Sequence, residues 1–207
     1  MMSRSLYVKF VLMSVLALVA CSPVISATEQ ATSTSEPMPD EPYHPLTMQT
    51  GVEEVDRVLE AVSSGDQQAL LSVIQFTGAK CTHAEGLGGP PKCREGEVEG
   101  TPMEVLPFLG SEGSYLRREE IGDWQGIDIS ALYAVYEVDS SKILVEEYFP
   151  AGEYVIVLIG TENGSPVALR VADGGIVRVD FLFEPIPETL DALIQREASN
   201  VILAPKN

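Results

Sequence analysis

Tyr154-Val155-Ile156-Val157-Leu158-Ile159, then Val167-Ala168-Leu169-Arg170-Val171, then Ile176-Val177-Arg178-Val179-Asp180-Phe181-Leu182-Phe183 are three short runs of β-branched, aliphatic and aromatic residues in close succession. Such residues suit a pleated, half-buried surface and the runs have strand length, so each reads as a β-strand. Asn163-Gly164 and Asp173-Gly174 separate them. Both dipeptides favour the left-handed backbone of tight hairpins, and three strands joined by two such turns form an antiparallel meander. The first run is apolar throughout, which places it centrally in a sheet with cover on both faces. It is too short to cross a bilayer. In the third, Arg178 and Asp180 alternate with Val177, Val179 and Phe181, which puts the two charges on the outer face of the sheet.

Working outward, residues 132–138 and 103–109 are further strand-like runs, while 116–124 reads equally as a short helix or a loop. Towards the N-terminus, Val52, Val55, Val58, Leu59 and Val62 form one stripe at helical spacing. Thr50 with Glu53 makes a capping box at its start. Ser63-Ser64-Gly65 ends this helix, and Asp66 caps a second whose buried face is Leu70, Leu71 and Ile74. After Pro185 and Pro187, a last helix carries Leu190, Leu193 and Ile194 on one face against Asp191, Gln195 and Arg196 on the other. The expected fold is α+β, a single domain over residues 50–204, with an N-terminal helix pair and a C-terminal helix packed on an antiparallel sheet.

Ahead of this domain, a basic stretch with Arg4 and Lys9 leads into eleven mostly apolar residues, 10–20, and then Cys21. That three-part pattern is a signal peptide over residues 1–20, and the apolar run falls short of the roughly 20 residues of a membrane span. Leu18-Val19-Ala20-Cys21 resembles the lipobox of bacterial lipoproteins. The resemblance implies cleavage before Cys21, acyl chains of the palmitate kind on that cysteine, and a domain outside the cytoplasm, anchored in the cell membrane or the outer membrane. Residues 21–49, rich in Ser, Thr, Pro and Glu, read as a disordered tether reaching on the order of 30 Å, with His44 a solvated linker residue. Losing Arg4 and Lys9 and no acid takes the formal charge from −18 to −20. So acidic a protein is a poor partner for nucleic acid or anionic lipid heads.

Further resemblances rest on longer patterns. Thr50-Gly51-Val52 with Glu54-Val55-Asp56, Ser64-Gly65-Asp66, the stretch from Cys81 to Cys93, Leu132-Tyr133-Ala134-Val135-Tyr136 and Pro150-Ala151-Gly152-Glu153-Tyr154 together resemble a module of uncharacterised exported bacterial proteins, which implies export and no particular activity. Ser64-Gly65-Asp66 and Gly174-Gly175-Ile176-Val177-Arg178-Val179 are similar to the plan of nuclear-transport-factor-2-like proteins. That likeness implies a curved sheet enclosing a pocket for a small ligand or a reaction. The stretch from Cys81 to Cys93 and the helix after Phe183 depart from it.

Candidate chemistry is sparse. Cys81 and Cys93 bracket a Gly/Pro-rich loop in a chain read as exported, so a disulfide is the first expectation. Cys81, His83 and Cys93 with Glu85 form an alternative zinc set, although the spacing matches no paired Cys-x-x-Cys site. His83 is the one histidine beyond the tether, and no Gly-x-Ser-x-Gly elbow exists, so no triad can be assembled. Gly86-Leu87-Gly88-Gly89 lacks the Gly-Lys-Ser/Thr of a phosphate loop. Glu119-Glu120 and Glu146-Glu147 read as solvated surface, and Trp124 and Tyr115 as packing residues. No catalytic residue, metal or cofactor is expected. The candidate contact site is the cysteine-closed loop through Gly88, Gly89, Lys92 and Arg94, facing an envelope protein or a wall polymer; Lys80, Lys92 and Arg94 make it locally basic.

Overall fold

The computed structural model describes residues 42–110, 113–143, 148–161, 164–182 and 187–206. The leader, Cys21, the tether up to residue 41, Asn163, Phe183, Pro185 and the Glu146-Glu147 pair lie outside them.

The fold is α+β. In chain order it runs α1 (Glu53–Ser63), α2 (Gln67–Ser72), β1 (Thr77–Lys80), β2 (Pro102–Leu109), β3 (Ser114–Arg117), a 3₁₀ helix (Arg118–Asp123), β4 (Ile129–Val138), β5 (Tyr154–Gly160), β6 (Pro166–Ala172), β7 (Gly175–Phe181), α3 (Pro187–Glu197) and β8 (Ala198–Leu203). The strands form one open eight-stranded sheet in the order β1-β2-β7-β6-β5-β4-β8, with β3 paired to β2. The expected meander is there: β5, β6 and β7 pair antiparallel, and β4 extends it beyond β5. At its second turn Asp173 and Gly174 have φ of +48° and +67°, the left-handed pair that a two-residue hairpin requires. The sheet is mixed rather than wholly antiparallel, because Phe108 and Leu109 of β2 run parallel to Val179 and Asp180 of β7.

The strict period of two along β5 divides the core. Ile156 and Leu158 join Val55, Val58 and Leu59 of α1 and Leu70 of α2 in one cluster. Val155, Val157 and Ile159 join Leu190 and Ile194 of α3 in the other. A strand apolar at every position is therefore wet on neither face. Among the described residues, no helix is long and apolar enough to cross a membrane.

Several local expectations are corrected. Asp66 caps α2 as expected, accepting the Gln68 N–H at 2.8 Å. The capping box on α1 does not form: Val52 occupies the cap and supplies no side-chain bond. Instead the Asp56 carboxylate, in the first turn, accepts the Thr50 and Gly51 N–H groups at 2.7 and 3.0 Å and the Thr50 hydroxyl at 2.8 Å. Order also starts before Thr50. His44 is no solvated linker residue: its N–H and carbonyl each pair with Leu132 of β4 at 2.9 Å, and its Nε2 lies 2.8 Å from the Ala204 carbonyl oxygen. Leu46 and Met48 pack on the first core cluster, so a segment that reads as polar tether buries two apolar side chains against the sheet. The stretch 116–124 resolves into the end of β3 and the 3₁₀ helix.

Candidate functional site

Two places gather polar chemistry. The first is the cysteine loop. Cys81 follows β1 and is buried, and it is bonded to Cys93 with the two Cα atoms 4.8 Å apart. Inside the loop, Thr82 N–H donates to the Pro91 carbonyl at 2.9 Å and Cys93 N–H to the Thr82 carbonyl at 3.0 Å, so the ends are laced by backbone as well as by sulfur. Lys92 Nζ donates to the Ala84 carbonyl at 3.0 Å. Gly88 and Gly89, both near φ +70°, carry the chain through a turn that side chains resist.

Arg117, at the end of β3 and only 6 % exposed, fastens the loop to the domain. Its guanidinium donates to both oxygens of Glu97, at 2.5 and 2.9 Å, and to the Lys92 carbonyl at 3.0 Å. The Arg117 fork, and after it the Arg94 N–H, hold the Glu97 carboxyl down at about 2. The Tyr115 hydroxyl reaches the Gly89 carbonyl at 2.6 Å, and its ring lies 5.4 Å from that of Phe149. Loop and β3 enclose a concavity of about 390 Å³ bordered by Leu87, Pro90, Lys92, Arg94 and Tyr115.

The basic character expected of this loop is largely neutralised. Arg94 pairs with Glu119 at 3.3 Å and with Glu120. Those two glutamates are thus partners of the loop as well as surface. What the loop presents outward is Leu87, 74 % exposed between glycines. His83 is a structural loop residue, its Nε2 3.0 Å from the Glu97 carbonyl oxygen. Ligand atoms of His83, Cys93 and Glu99 lie within 4.8 Å of one another. With both sulfurs joined, however, neither cysteine has a thiolate to offer, and the zinc set loses its best ligands.

The second place was missed by sequence reasoning. Arg170 of β6 and Arg178 of β7 sit directly opposite each other in the strand register. Asp180, two residues beyond Arg178 on the same face, reconciles them. It accepts Arg170 Nε at 2.8 Å on Oδ2, and Arg178 Nε and Nη2 at 2.5 and 2.8 Å on Oδ1 and Oδ2. Glu197, the last residue of α3, accepts Arg170 Nη2 at 2.8 Å, the Tyr136 hydroxyl at 3.1 Å and Arg196 Nη2 at 2.7 Å. Arg178 Nη1 donates to the Phe149 and Pro150 carbonyls, both at 3.2 Å. Arg170, Arg178, Asp180 and Glu197 are each at least 94 % buried, while Arg196 lies at the surface.

The outer-face expectation for Arg178 and Asp180 is therefore overturned, because α3 returns across this side of the sheet and covers it. Burial disfavours the charge on Arg170, but Asp180 and Glu197 outweigh it and hold the guanidinium above its ordinary value. Burial, reinforced by the Glu197 charge, pushes the Tyr136 phenol above its usual range. The overlooked signal was Arg170 itself, a lone charge within Val167-Ala168-Leu169-Arg170-Val171, where an exposed side chain would have polar neighbours two residues away.

Beside this network, β7 and α3 leave a cleft of about 520 Å³, lined among others by Leu109, Phe181, Leu182, Leu193 and Arg196. Comparison with protein-family models, with curated proteins and with solved structures finds no match for this chain.

Proposed function

We propose that the protein is an exported bacterial lipoprotein, cut before Cys21 and held by acyl chains in the cell membrane or outer membrane. Its domain is a non-catalytic module that contacts an envelope protein or a wall polymer. The observation carrying this is Leu18-Val19-Ala20-Cys21 at the end of a basic-then-apolar leader. The Cys81–Cys93 disulfide supports the same compartment, since such bonds persist where thiols are not kept reduced. Two or three acyl chains contribute about 0.8 kcal/mol per buried methylene, enough for stable anchoring.

Support for binding rather than catalysis comes from the packing. Apolar side chains cover β5 on both faces, with α1 and α2 on one side and α3 on the other, and no nucleophile–base pair is gathered among the described residues. The loop from Cys81 to Cys93, stiffened by sulfur, by Arg117 and by Tyr115, is the element best prepared to meet a partner, since ordering it on binding costs little. The recognised feature is Leu87 on its glycine turns. A net positive patch is not what it offers, because Glu119 and Glu120 compensate Arg94 and Lys92 turns back onto the Ala84 carbonyl.

Intact-mass analysis of protein extracted from membranes should show a diacylated or triacylated terminus at Cys21. Full membrane attachment of a Cys21→Ala protein would refute the anchor. For the loop, a photo-crosslinking residue at position 87 should trap one envelope component in living cells, while the same residue at exposed Ser141 should not. Equal trapping at both positions would leave the loop as scaffold.

A further inference from the structure

We infer that the cleft between β7 and α3 is a binding site for a small amphipathic carboxylate, an apolar chain or ring ending in one acid group. This stands apart from the loop reading and does not need it.

The charges decide the head group. Among the described residues that line it, Arg170, Arg178 and Arg196 face Asp180 and Glu197, one cation in surplus, in a chain whose formal charge is −18. Every carboxylate oxygen of the pair already accepts from an arginine: Asp180 through Oδ1 and Oδ2, Glu197 through Oε1 and Oε2. An incoming cation finds its natural partners engaged. An incoming anion meets Arg196, since the nitrogens of Arg170 and Arg178 are engaged by Asp180, Glu197 and backbone carbonyls. Arg196 gives Nη2 to Glu197, and its side chain is 68 % exposed at the cleft's edge. Arg170 and Arg178 stay fixed behind it.

The walls decide the rest of the molecule. Leu109 is among the few large hydrophobic side chains left more than a third exposed among the described residues, and it lines this cleft with Leu182, Leu190 and Leu193. Leu190 and Leu193 are held in α3 and buried, which gives the apolar wall a rigid backing. A volume of about 520 Å³ lies within the range of small-molecule sites. An apolar wall beside an unspent guanidinium fits a molecule with both characters and rewards neither alone.

The test uses the full-length, membrane-held protein in nanodiscs and octanoate bearing a diazirine near the end of its chain. Photolysis followed by peptide mapping should place the label on peptides containing Leu109, Leu182 or Leu190–Leu193. Plain octanoate should compete it away, while octanol, octylammonium and acetate at the same concentration should not. Arg196→Gln, at an exposed position that leaves the fold intact, should lower labelling about tenfold, as expected for one charge-assisted hydrogen bond. Leu109→Ala should lower it comparably, with the melting temperature of both variants recorded alongside. Label spread evenly over the domain, competition by octanol equal to that by octanoate, or undiminished labelling of folded Arg196→Gln would each overturn the assignment. Failure at this cleft leaves the anchor and loop untouched, because neither experiment on them involves α3.

Discussion

Asp180 shows how much one residue can hold. It stands between two arginines that the strand register forces into opposition, and both of its oxygens are taken by them. Asp180→Asn keeps the shape and removes the charge, leaving Arg170 and Arg178 facing each other in a dry place. Breaking one partner out of a buried ion network costs about 3–5 kcal/mol. Urea denaturation at neutral pH should show a loss of that size, and a loss below about 1 kcal/mol would mean that water reaches the pair. Glu97 is the contrasting case, paired at the surface. Its carboxyl, ordinarily at 4.5, is held at about 2 by Arg117 and the Arg94 N–H. A carboxyl depressed in the folded state stabilises fully above its unfolded value and loses that contribution as pH falls. The native protein should therefore melt higher than Glu97→Gln at pH 7, and the gap should close between pH 4.5 and 2. A gap that stays constant across that range would assign the effect to packing instead.

Among the elements, the β6–β7 hairpin is the most dependent on its turn. Gly174 has φ +67°, and a Cβ there would lie 1.5 Å from Arg57 Nη2. Arg57 uses that fork to hold the turn, donating to the Gly174 and Asp173 carbonyls at 3.1 and 3.0 Å. Gly174→Ala thus imposes left-handed strain of about 1–2 kcal/mol and evicts the side chain that ties α1 to the hairpin. The melting temperature should fall more than for Gly65→Ala, where φ is +65° but a Cβ meets nothing within 4 Å. Equal falls would show that Arg57 contributes nothing. The hairpin was legible because Asp-Gly between apolar runs is a local rule. β8 was not: α3 passes into it at Ala198 without a glycine or proline break, and Ser199 and Asn200 mask its alternation. β1 was lost in the same way, since Thr77-Gly78-Ala79-Lys80 has little strand propensity and owes its conformation to pairing with β2.

At the scale of the whole molecule, 31 acidic residues face 13 lysines and arginines. Exposed pairs such as Arg118–Glu104 contribute little, so self-repulsion of the folded state is the larger salt-sensitive effect. Raising sodium chloride from 20 to about 300 mM shortens the screening length below 10 Å. It should stabilise the protein by about 1 kcal/mol, or roughly 2–4 °C in melting temperature. Sodium chloride is the proper probe, because sulfate stabilises proteins by exclusion whatever their charge. A fall in melting temperature would mean that the ion pairs outweigh the repulsion.

By itself the sequence determined the strands of the meander, the left-handed turn at Asp173-Gly174, the cap at Asp66 and the joining of Cys81 to Cys93. Each rests on residues close along the chain, through side-chain period, backbone handedness or the proximity of two thiols in a short loop. Only the tertiary structure decided that β2 runs parallel to β7, that β8 pairs with β4, and that His44 is bound to the sheet and to Ala204, 160 residues away. It alone decided that Arg178 and Asp180 lie beneath α3. Alternation along a strand divides its residues between two faces, but which face is covered depends on a helix that the strand does not encode.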